Sequence, residues 1–194
     1  MATTTVSASP DVPNSHPSER DIEQGRAVES RDVPSILSHL TKYRSTTFGN
    51  RVCFVGALAD EDGLYQSPYV YVTSTSNDRV DWMRRLPYPA EFYQGRATHC
   101  VAHGDYVYAL LQVDTDSHQA TNQTIVSVVK LDARTGRLVT ARKVEIDGVG
   151  RGASRWLNRS EDVFQVEGNS IRVSGRYRNV DSDEIETFST TVDP

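Results

Sequence analysis

The stretch VVKLDARTGRL, residues 128–138, decides the fold because it places two β-prone runs around one tight turn. An apolar run enters the turn at residues 132–136, and a second run, RLVTARKVEI, leaves it. The Asp132 carboxylate can accept hydrogen bonds from backbone amides of the turn, and Gly136 can supply the left-handed residue of a bulged hairpin. The stretch therefore predicts a β-hairpin.

From residue 49 onward, apolar and polar residues alternate with a period of two, which is typical of half-buried strands. No long helical pattern separates these runs, so an antiparallel arrangement is favoured over parallel βαβ units. In NSIRVSGRYR, residues 169–178, apolar residues fall on one face and arginines and serines on the other, as in a strand with one wet face. The runs that read as strands are NRVCFVGAL, SPYVYVTST, THCVAH, DYVYALLQV, TIVSVVKLDA, RLVTARKVEI, DVFQVE, NSIRVSGRY and EIETFSTTV.

Internal repetition is the next feature of these runs. HCVAHGDYVYALLQVDTD aligns with DVFQVEGNSIRVSGRYRNVDSD, and RVCFVGALADED is a weaker third copy. Gly104 and Gly168 begin two-residue hairpin turns and can adopt the positive φ that such turns demand. After the first copy, two further strands around the turn at 132–136 complete four consecutive antiparallel strands. This is the layout of one propeller blade.

The segment 97–147 resembles one blade of the PQQ-like (quinoprotein-type) β-propeller repeats. The resemblance implies blade-like antiparallel sheets, and one blade implies no cofactor. The Trp that follows the Thr–Gly turn in that family is absent, since Ala141 and Arg142 stand near its place. Roughly 145 residues of β-structure provide about three blades, which leaves open a stack of sheets, a propeller fragment or a sandwich. The matching residues are Val107, Tyr108, Ala109, Leu110, Leu131, Asp132, Ala133, Thr135, Gly136 and Leu138.

The beginning of the chain differs in composition from the rest. Residues 1–20 are rich in Ser, Thr and Pro and are expected to be a disordered tail, and residues 21–194 to form a single β-rich domain. Pro34 suits the first turn of a helix, and apolar residues follow at helical spacing. We expect one short helix near 34–43 that covers an exposed sheet edge. The residues at helical spacing are Val33, Ile36, Leu37, Leu40 and Tyr43.

Charge and composition narrow the class of partner and the compartment. The net charge of −5 argues against nucleic acid as the partner, and no apolar run is long enough to span a bilayer. The opening MATTTVSASPDVPNSHPSER fits a mature periplasmic or secreted protein whose signal peptide has been replaced by Met, and a cytoplasmic protein with a tail is the alternative. Cys53 and Cys100 either form a disulfide between neighbouring sheets or remain two buried thiols.

Acidic loops and histidines are the candidate metal ligands. Asp114 with Asp116, or Asp181 with Asp183, could offer carboxylate oxygens to calcium, and solvated turns are the alternative reading. His99 and His103 lie about 13 Å apart on an extended strand, so they are read as structural residues rather than as zinc ligands. No other cofactor is expected.

Aromatic residues and arginines are the candidate partner-binding residues, because such side chains dominate binding hot spots. They lie in two irregular stretches, residues 82–96 and 148–160. The alternative is that Trp82, Tyr88, Phe92 and Trp156 fill gaps between sheets. The candidates are Trp82, Arg84, Arg85, Tyr88, Phe92 and Tyr93 in the first stretch and Arg151, Arg155 and Trp156 in the second.

The sequence contains no G-x-S-x-G elbow, P-loop or H-E-x-x-H motif, so we expect a protein that is not an enzyme. The favoured function is a non-catalytic protein-binding domain, such as a bacterial inhibitor or immunity protein that acts on a toxin or hydrolase. Two alternatives stay open. One is a small all-β hydrolase that cleaves glycans with a carboxylate pair, and the other is a calcium-dependent binding module.

Overall fold

The computed structural model describes residues 25–115, 122–150, 152–157 and 160–193. The expected tail 1–20, Asp116 and Arg151 lie outside these residues. The elements are β1 (Arg26–Ala27), α1 (Val33–His39), β2 (Thr41–Phe48), β3 (Arg51–Ala59), β4 (Gln66–Ser74), β5 (Val80–Arg85), β6 (Gln94–His103), β7 (Tyr106–Asp114), β8 (Thr124–Asp132), β9 (Leu138–Lys143), β10 (Ser154–Trp156), β11 (Phe164–Glu167), β12 (Ser170–Arg178) and β13 (Glu186–Val192).

The strands form three antiparallel sheets. The first sheet has the order β1-β5-β4-β3-β2, and the central sheet is the meander β6-β7-β8-β9. In the third sheet, β12 pairs with β13 on one side and with β10 and β11 on the other. The predicted all-β antiparallel fold with one short helix is confirmed. Membership of the PQQ-like repeat family stays a prediction.

The middle of the central sheet, strand β7 above all, is buried on both faces. Toward the first sheet, Val107, Ala109 and Leu111 pack in one core with Val70 and the Cys53–Cys100 pair. The alternate side chains of β7 point the other way, toward Phe164 and Val173 of the third sheet. The near-continuous apolar run YVYALLQV therefore serves two cores at once, which is the pattern of a strand covered on both faces.

The helix begins where the sequence predicts it but ends earlier, at His39. It ends there because Leu40 is already extended with φ −72° and ψ 122°, and Tyr43 belongs to β2. Its apolar residues Ile36 and Leu37 pack with Tyr69 and Tyr71 on the outer face of the first sheet. The expectation that the helix covers a sheet edge is wrong, because the apolar outer face of the first sheet is what it buries. None of the helices in the described residues is long and apolar enough to cross a membrane.

The stretch 82–96, read from the sequence as irregular, begins and ends in strands. Trp82 and Met83 lie in β5 and point to opposite faces of the first sheet, into two different cores. Gln94 already opens β6. Only the segment between Leu86 and Tyr93 is irregular, because Pro87 and Pro89 lack the amide hydrogens that a ladder needs.

The turn at 132–136 has the geometry that its sequence predicts. The Asp132 carboxylate accepts hydrogen bonds from the amides of Arg134 (3.1 Å) and Thr135 (2.8 Å) and from the Thr135 hydroxyl (2.7 Å). These bonds lower the pKa of Asp132, the Thr135 hydroxyl contributing most. Gly136 has φ +67°, and the β8–β9 register shifts beside Lys130 as expected for a bulged hairpin.

Candidate binding surface

The irregular segment 86–93 is held at both ends. The Leu86 amide donates to the Pro68 carbonyl of the first sheet (2.9 Å), and the Tyr93 amide donates to the Asp114 carbonyl of the central sheet (2.9 Å). Between these points, the Phe92 amide donates to the Pro89 carbonyl (3.0 Å) and closes a turn. The segment therefore presents its side chains from a fixed backbone, which lowers the entropy lost when a partner binds.

A groove of about 690 Å³ runs between this segment and the central sheet. Pro87, Tyr88 and Phe92 form one wall, and Leu111 and Ile125 contribute to the other. Along this face of β8, Val129 is buried in the core shared with the first sheet, whereas Ile125 and Ser127 are only half-buried, and Ala141 and Lys143 of β9 are exposed. The full lining is Pro87, Tyr88, Pro89, Ala90, Glu91, Phe92, Leu111, Val113, Ile125, Ser127, Ala141 and Lys143.

Strand β9 borders the groove and is an edge strand of the central sheet. It pairs with β8 on one side, and no strand among the described residues pairs with its other side. The Val144 amide donates to the Val126 carbonyl (2.8 Å), which fixes which residues face β8. Because backbone groups alternate along an antiparallel strand, Ala141 and Lys143 direct their amides and carbonyls away from β8. Both residues are exposed.

The β9 edge is rich in positive charge. Arg134 and Arg137 in the preceding turn and Arg142 in the strand are exposed. Lys143 lies 3.9 Å from the Glu145 carboxylate, a separation at the limit of an ion pair. Val139 adds an exposed apolar side chain to the same strand. The edge thus combines unpaired backbone, cations and apolar surface on a chain whose net charge is −5.

Two of the predicted partner-binding residues are interior. The Trp82 side chain is buried between the first and central sheets, and its indole Nε1 donates to the Ala133 carbonyl (3.0 Å). Arg155 is fully buried, and its Nη1 donates to the Ala153 carbonyl (3.2 Å). The prediction that these two side chains contact a partner is corrected, because neither has surface to offer.

The remaining predicted residues separate into several places. Tyr88 and Phe92 line the groove, and the Arg85 guanidinium lies 6.0 Å from the Tyr88 ring centroid. Arg84 donates to the Gly25 carbonyl (2.9 Å) and so holds the beginning of the described chain against the first sheet. The Tyr93 hydroxyl donates to the Leu64 carbonyl (3.0 Å).

Trp156, the last predicted binding residue within the described chain, is separate from the groove. It lines a second cavity, where strands of all three sheets meet.

Three of the candidate calcium ligands, Asp114, Asp181 and Asp183, lie within the described residues. Asp114 is buried and engaged by protein groups: it accepts from the Thr124 hydroxyl (2.7 Å) and from Gln94 Nε2 (2.9 Å), and it lies 3.3 Å from the Arg96 guanidinium. Asp181 and Asp183 are exposed in the loop before β13. Within the described ranges, no cluster of three or more His, Cys, Asp or Glu side chains could hold a metal ion.

Cys53 of β3 and Cys100 of β6 are joined in a disulfide that links the first and central sheets, with 6.6 Å between their Cα atoms. Polar contacts around the Ala133 carbonyl also hold this interface, and we call them the Ala133 latch. The Ala133 carbonyl accepts from Arg51 Nη1 (3.1 Å) as well as from Trp82, and Arg51 Nε lies 3.2 Å from the Asp81 carboxylate.

Sequence reasoning missed the β9 side of the groove. Ala141 and Lys143 read as ordinary strand residues, because the β-prone pattern of their run does not show whether β9 is an inner strand or an edge strand. The signal that could have found them is charge, since RTGRLVTARK places four cations among few large apolar residues. Cations are common on strands that end a sheet.

No protein-family model matches the chain, and the curated proteins give no match. A solved structure that is similar to it is a candidate conserved lipoprotein from Clostridium novyi NT. The two share 12% sequence identity with a TM-score of 0.43, over 79% of this chain and 86% of that chain. At this level of similarity, the comparison carries no functional inference.

Proposed function

We propose that the chain is a non-catalytic binding domain that receives an extended, acidic segment of a partner protein along β9. The observation that carries the proposal is the unpaired edge of β9 beside an apolar groove with fixed walls. Strand addition of this kind gains affinity from main-chain hydrogen bonds and specificity from pockets that take alternate side chains.

The backbone of β9 fits this mode. The outward amides and carbonyls of Ala141 and Lys143 can bond a new antiparallel strand in the way that β8 bonds the inner side. Every second side chain of the added strand would then face the groove formed by Tyr88, Phe92 and Ile125. Apolar residues at those alternate positions would be buried there, which supplies a hydrophobic contribution to binding.

Charge determines the kind of partner. The exposed cations Arg134, Arg137 and Arg142 favour an acidic segment, because opposite charges raise the association rate and suppress unsuitable partners. A second copy of the chain is disfavoured at this edge, since pairing β9 with itself would bring arginines against arginines. The proposed occupant is therefore an acidic strand from a different protein.

The disulfide supports a location. Buried disulfides form and persist in oxidising compartments, and Cys53–Cys100 connects two sheets inside a core. We therefore propose that the domain works in the periplasm or outside the cell. An inhibitor or immunity protein that captures a strand of a toxin or hydrolase is the form of this function that fits best.

A displayed library of random short peptides tests the proposal. Selection on the wild-type protein is expected to enrich peptides that alternate apolar and acidic residues. Ala141→Pro removes an outward amide without touching the β8 ladder, and we expect it to weaken the selected peptides on the order of tenfold or more. Arg142→Glu is expected to weaken them as well, by repulsion.

The third sheet provides matched controls. Counted from the hairpin pair Glu167 and Ser170, the alternation directs the Thr187 amide of β13 away from β12. Thr187→Pro and Arg176→Glu should therefore leave peptide affinity unchanged, with circular dichroism showing that all variants fold. Equal loss in Thr187→Pro, or full affinity in Ala141→Pro, would contradict strand addition at β9.

A further inference from the structure

A small cavity, the loop pocket, lies at the end of β12, where three segments of the chain meet. Its volume is about 170 Å³, which is below the roughly 300–1,000 Å³ of sites for drug-sized ligands. This size suits a ligand with a single ring. The pocket shares no residue with the groove. Its described lining is Asn122, Gln123, Gly152, Ser154, Arg178, Asn179, Val180, Ser182 and Asp183.

The walls of the loop pocket are packed against one another. The Ser154 hydroxyl, at the start of β10, donates to the Asn122 carbonyl of the β7–β8 connection (3.4 Å). Gly152 lies so close to the β12–β13 loop that a Cβ there would be 2.6 Å from Val180 Cγ2 and 3.6 Å from Gln123 Nε2. The cavity is therefore formed by three segments in contact and not by one loose loop.

Arg178 supplies the cation of the pocket. It is the last residue of β12 and lies opposite Ser154 in the ladder. Its neighbour Tyr177 packs in the core with the central sheet, so the alternation of the strand directs Arg178 to the outer face. The side chain is exposed, and no hydrogen bond or ion pair to another described residue engages its guanidinium. Its N–H donors are therefore available to a ligand.

The rest of the lining offers both acceptors and donors. Asp183 is exposed, and no ion pair among the described residues joins it to Arg178. The Ser182 hydroxyl accepts from the Glu184 amide (3.0 Å) and keeps its own hydrogen for donation. The side-chain amide of Asn179 can donate and accept. A simple anion would be repelled by the carboxylate in this wall, whereas a ligand with one carboxylate and several hydroxyls can pair with each of these groups.

We infer that the loop pocket binds an acidic sugar, that is, a single sugar ring that carries a carboxylate. The Arg178 guanidinium pairs with the sugar carboxylate through charge-assisted hydrogen bonds. Asp183 accepts hydrogen bonds from ring hydroxyls, and Asn179 and Ser182 bond the other hydroxyls. The inference goes beyond the proposed capture of a partner strand and does not depend on it.

Glucuronate is the probe, and two glycine amides provide the readout. In a ¹H–¹⁵N spectrum of the whole chain, the amide of Gly152 in the pocket is expected to shift saturably with glucuronate. The amide of Gly168, in the turn at the other end of β12, serves as the internal reference. Glucose lacks the carboxylate and acetate lacks the hydroxyls, so each should bind on the order of tenfold more weakly.

Three variants complete the test, with circular dichroism to show that each is folded. Arg178→Gln should weaken glucuronate on the order of tenfold. Arg176→Gln removes the same charge from the same face of β12 but outside the pocket, so it should leave the affinity unchanged. Asp183→Ala should reduce the preference for glucuronate over acetate on the order of tenfold, because it removes the acceptor for hydroxyls while its charge acts on both carboxylates.

Four results would overturn the inference. They are a Gly152 shift that does not saturate, equal binding of glucose or acetate, equal loss in Arg178→Gln and Arg176→Gln, and an unchanged preference for glucuronate in Asp183→Ala.

Discussion

The central and third sheets each have four strands, but they differ in what covers them. Strand β7 of the central sheet is buried along nearly its whole length, whereas β12 of the third sheet alternates buried and wetter residues. The central sheet is also bonded covalently and by the Ala133 latch to the first sheet, while its contact with the third sheet is mostly apolar. The difference teaches that the first two sheets form the cross-linked unit of the fold.

The largest expected difference between the two sheets lies in their turn glycines, Gly136 in the central sheet and Gly168 in the third sheet. Gly136 and Gly168 both have positive φ, but a methyl group on Gly136 would lie 2.6 Å from Trp82 Cδ2, whereas a methyl group on Gly168 would meet nothing within 4 Å. We expect Gly136→Ala to lower the free energy of unfolding by about 2–5 kcal/mol, through backbone strain and overpacking. Gly168→Ala should cost only the strain, about 1–2 kcal/mol.

Urea denaturation of both variants measures the contrast. Equal losses would mean that the turn of the central sheet is not packed against the first sheet.

The disulfide gives the next largest effect. Reduction of Cys53–Cys100 is expected to lower the free energy of unfolding by about 2–4 kcal/mol, because a closed loop restricts the unfolded chain. Denaturation with and without a reductant, on wild type and on a Cys53→Ala/Cys100→Ala control, gives the value. A reductant effect that persists in the double variant would not come from this bond.

The contact between the central and third sheets predicts a pH dependence. His99 Nε2 lies 3.1 Å from the Ser160 carbonyl, and burial lowers the pKa of His99 from 6.5 to about 4. In the unfolded chain His99 binds a proton as the pH falls below 6.5, whereas in the folded chain His99 stays neutral until the pH reaches about 4. His99 therefore contributes stability that is complete above this window and is lost as the pH falls through it, up to about 3 kcal/mol.

The free energy of unfolding measured between pH 7 and 4 should fall less steeply in His99→Gln than in wild type. His103, exposed on the same strand, provides the control His103→Gln. The same slope in wild type and His99→Gln would refute the assignment.

The positions of most strands can be predicted from the local sequence pattern, whereas the burial of their side chains cannot. The alternation in NSIRVSGRY gives β12 and its wet face correctly, and DARTG gives the bulged turn. The predicted helix continued to Tyr43, because Leu40 and Tyr43 keep the helical spacing of apolar residues. In the structure the backbone is already in the β conformation at Leu40. Thr41, Thr46 and Thr47 are the β-branched residues that favour a strand there.

The burial of Trp82 depends on residues far along the chain. Its indole packs against Gly136 and bonds Ala133, both in the hairpin of another sheet. The residues close to Trp82 in the sequence, Arg84 and Arg85, indicate only a composition typical of binding hot spots. The groove is likewise made by sheet packing and the loop pocket by three separate segments, so no single run of sequence contains them.

Amide hydrogen exchange on the complex with a selected acidic peptide tests the central claim most directly, namely that the β9 edge of the central sheet is the binding surface. The account predicts that the amides of Ala141 and Lys143 become protected when the peptide binds. The outward amides of β13, such as Thr187, should exchange as before. Protection on β13, or unchanged exchange at Ala141 and Lys143 with the peptide bound, would contradict it.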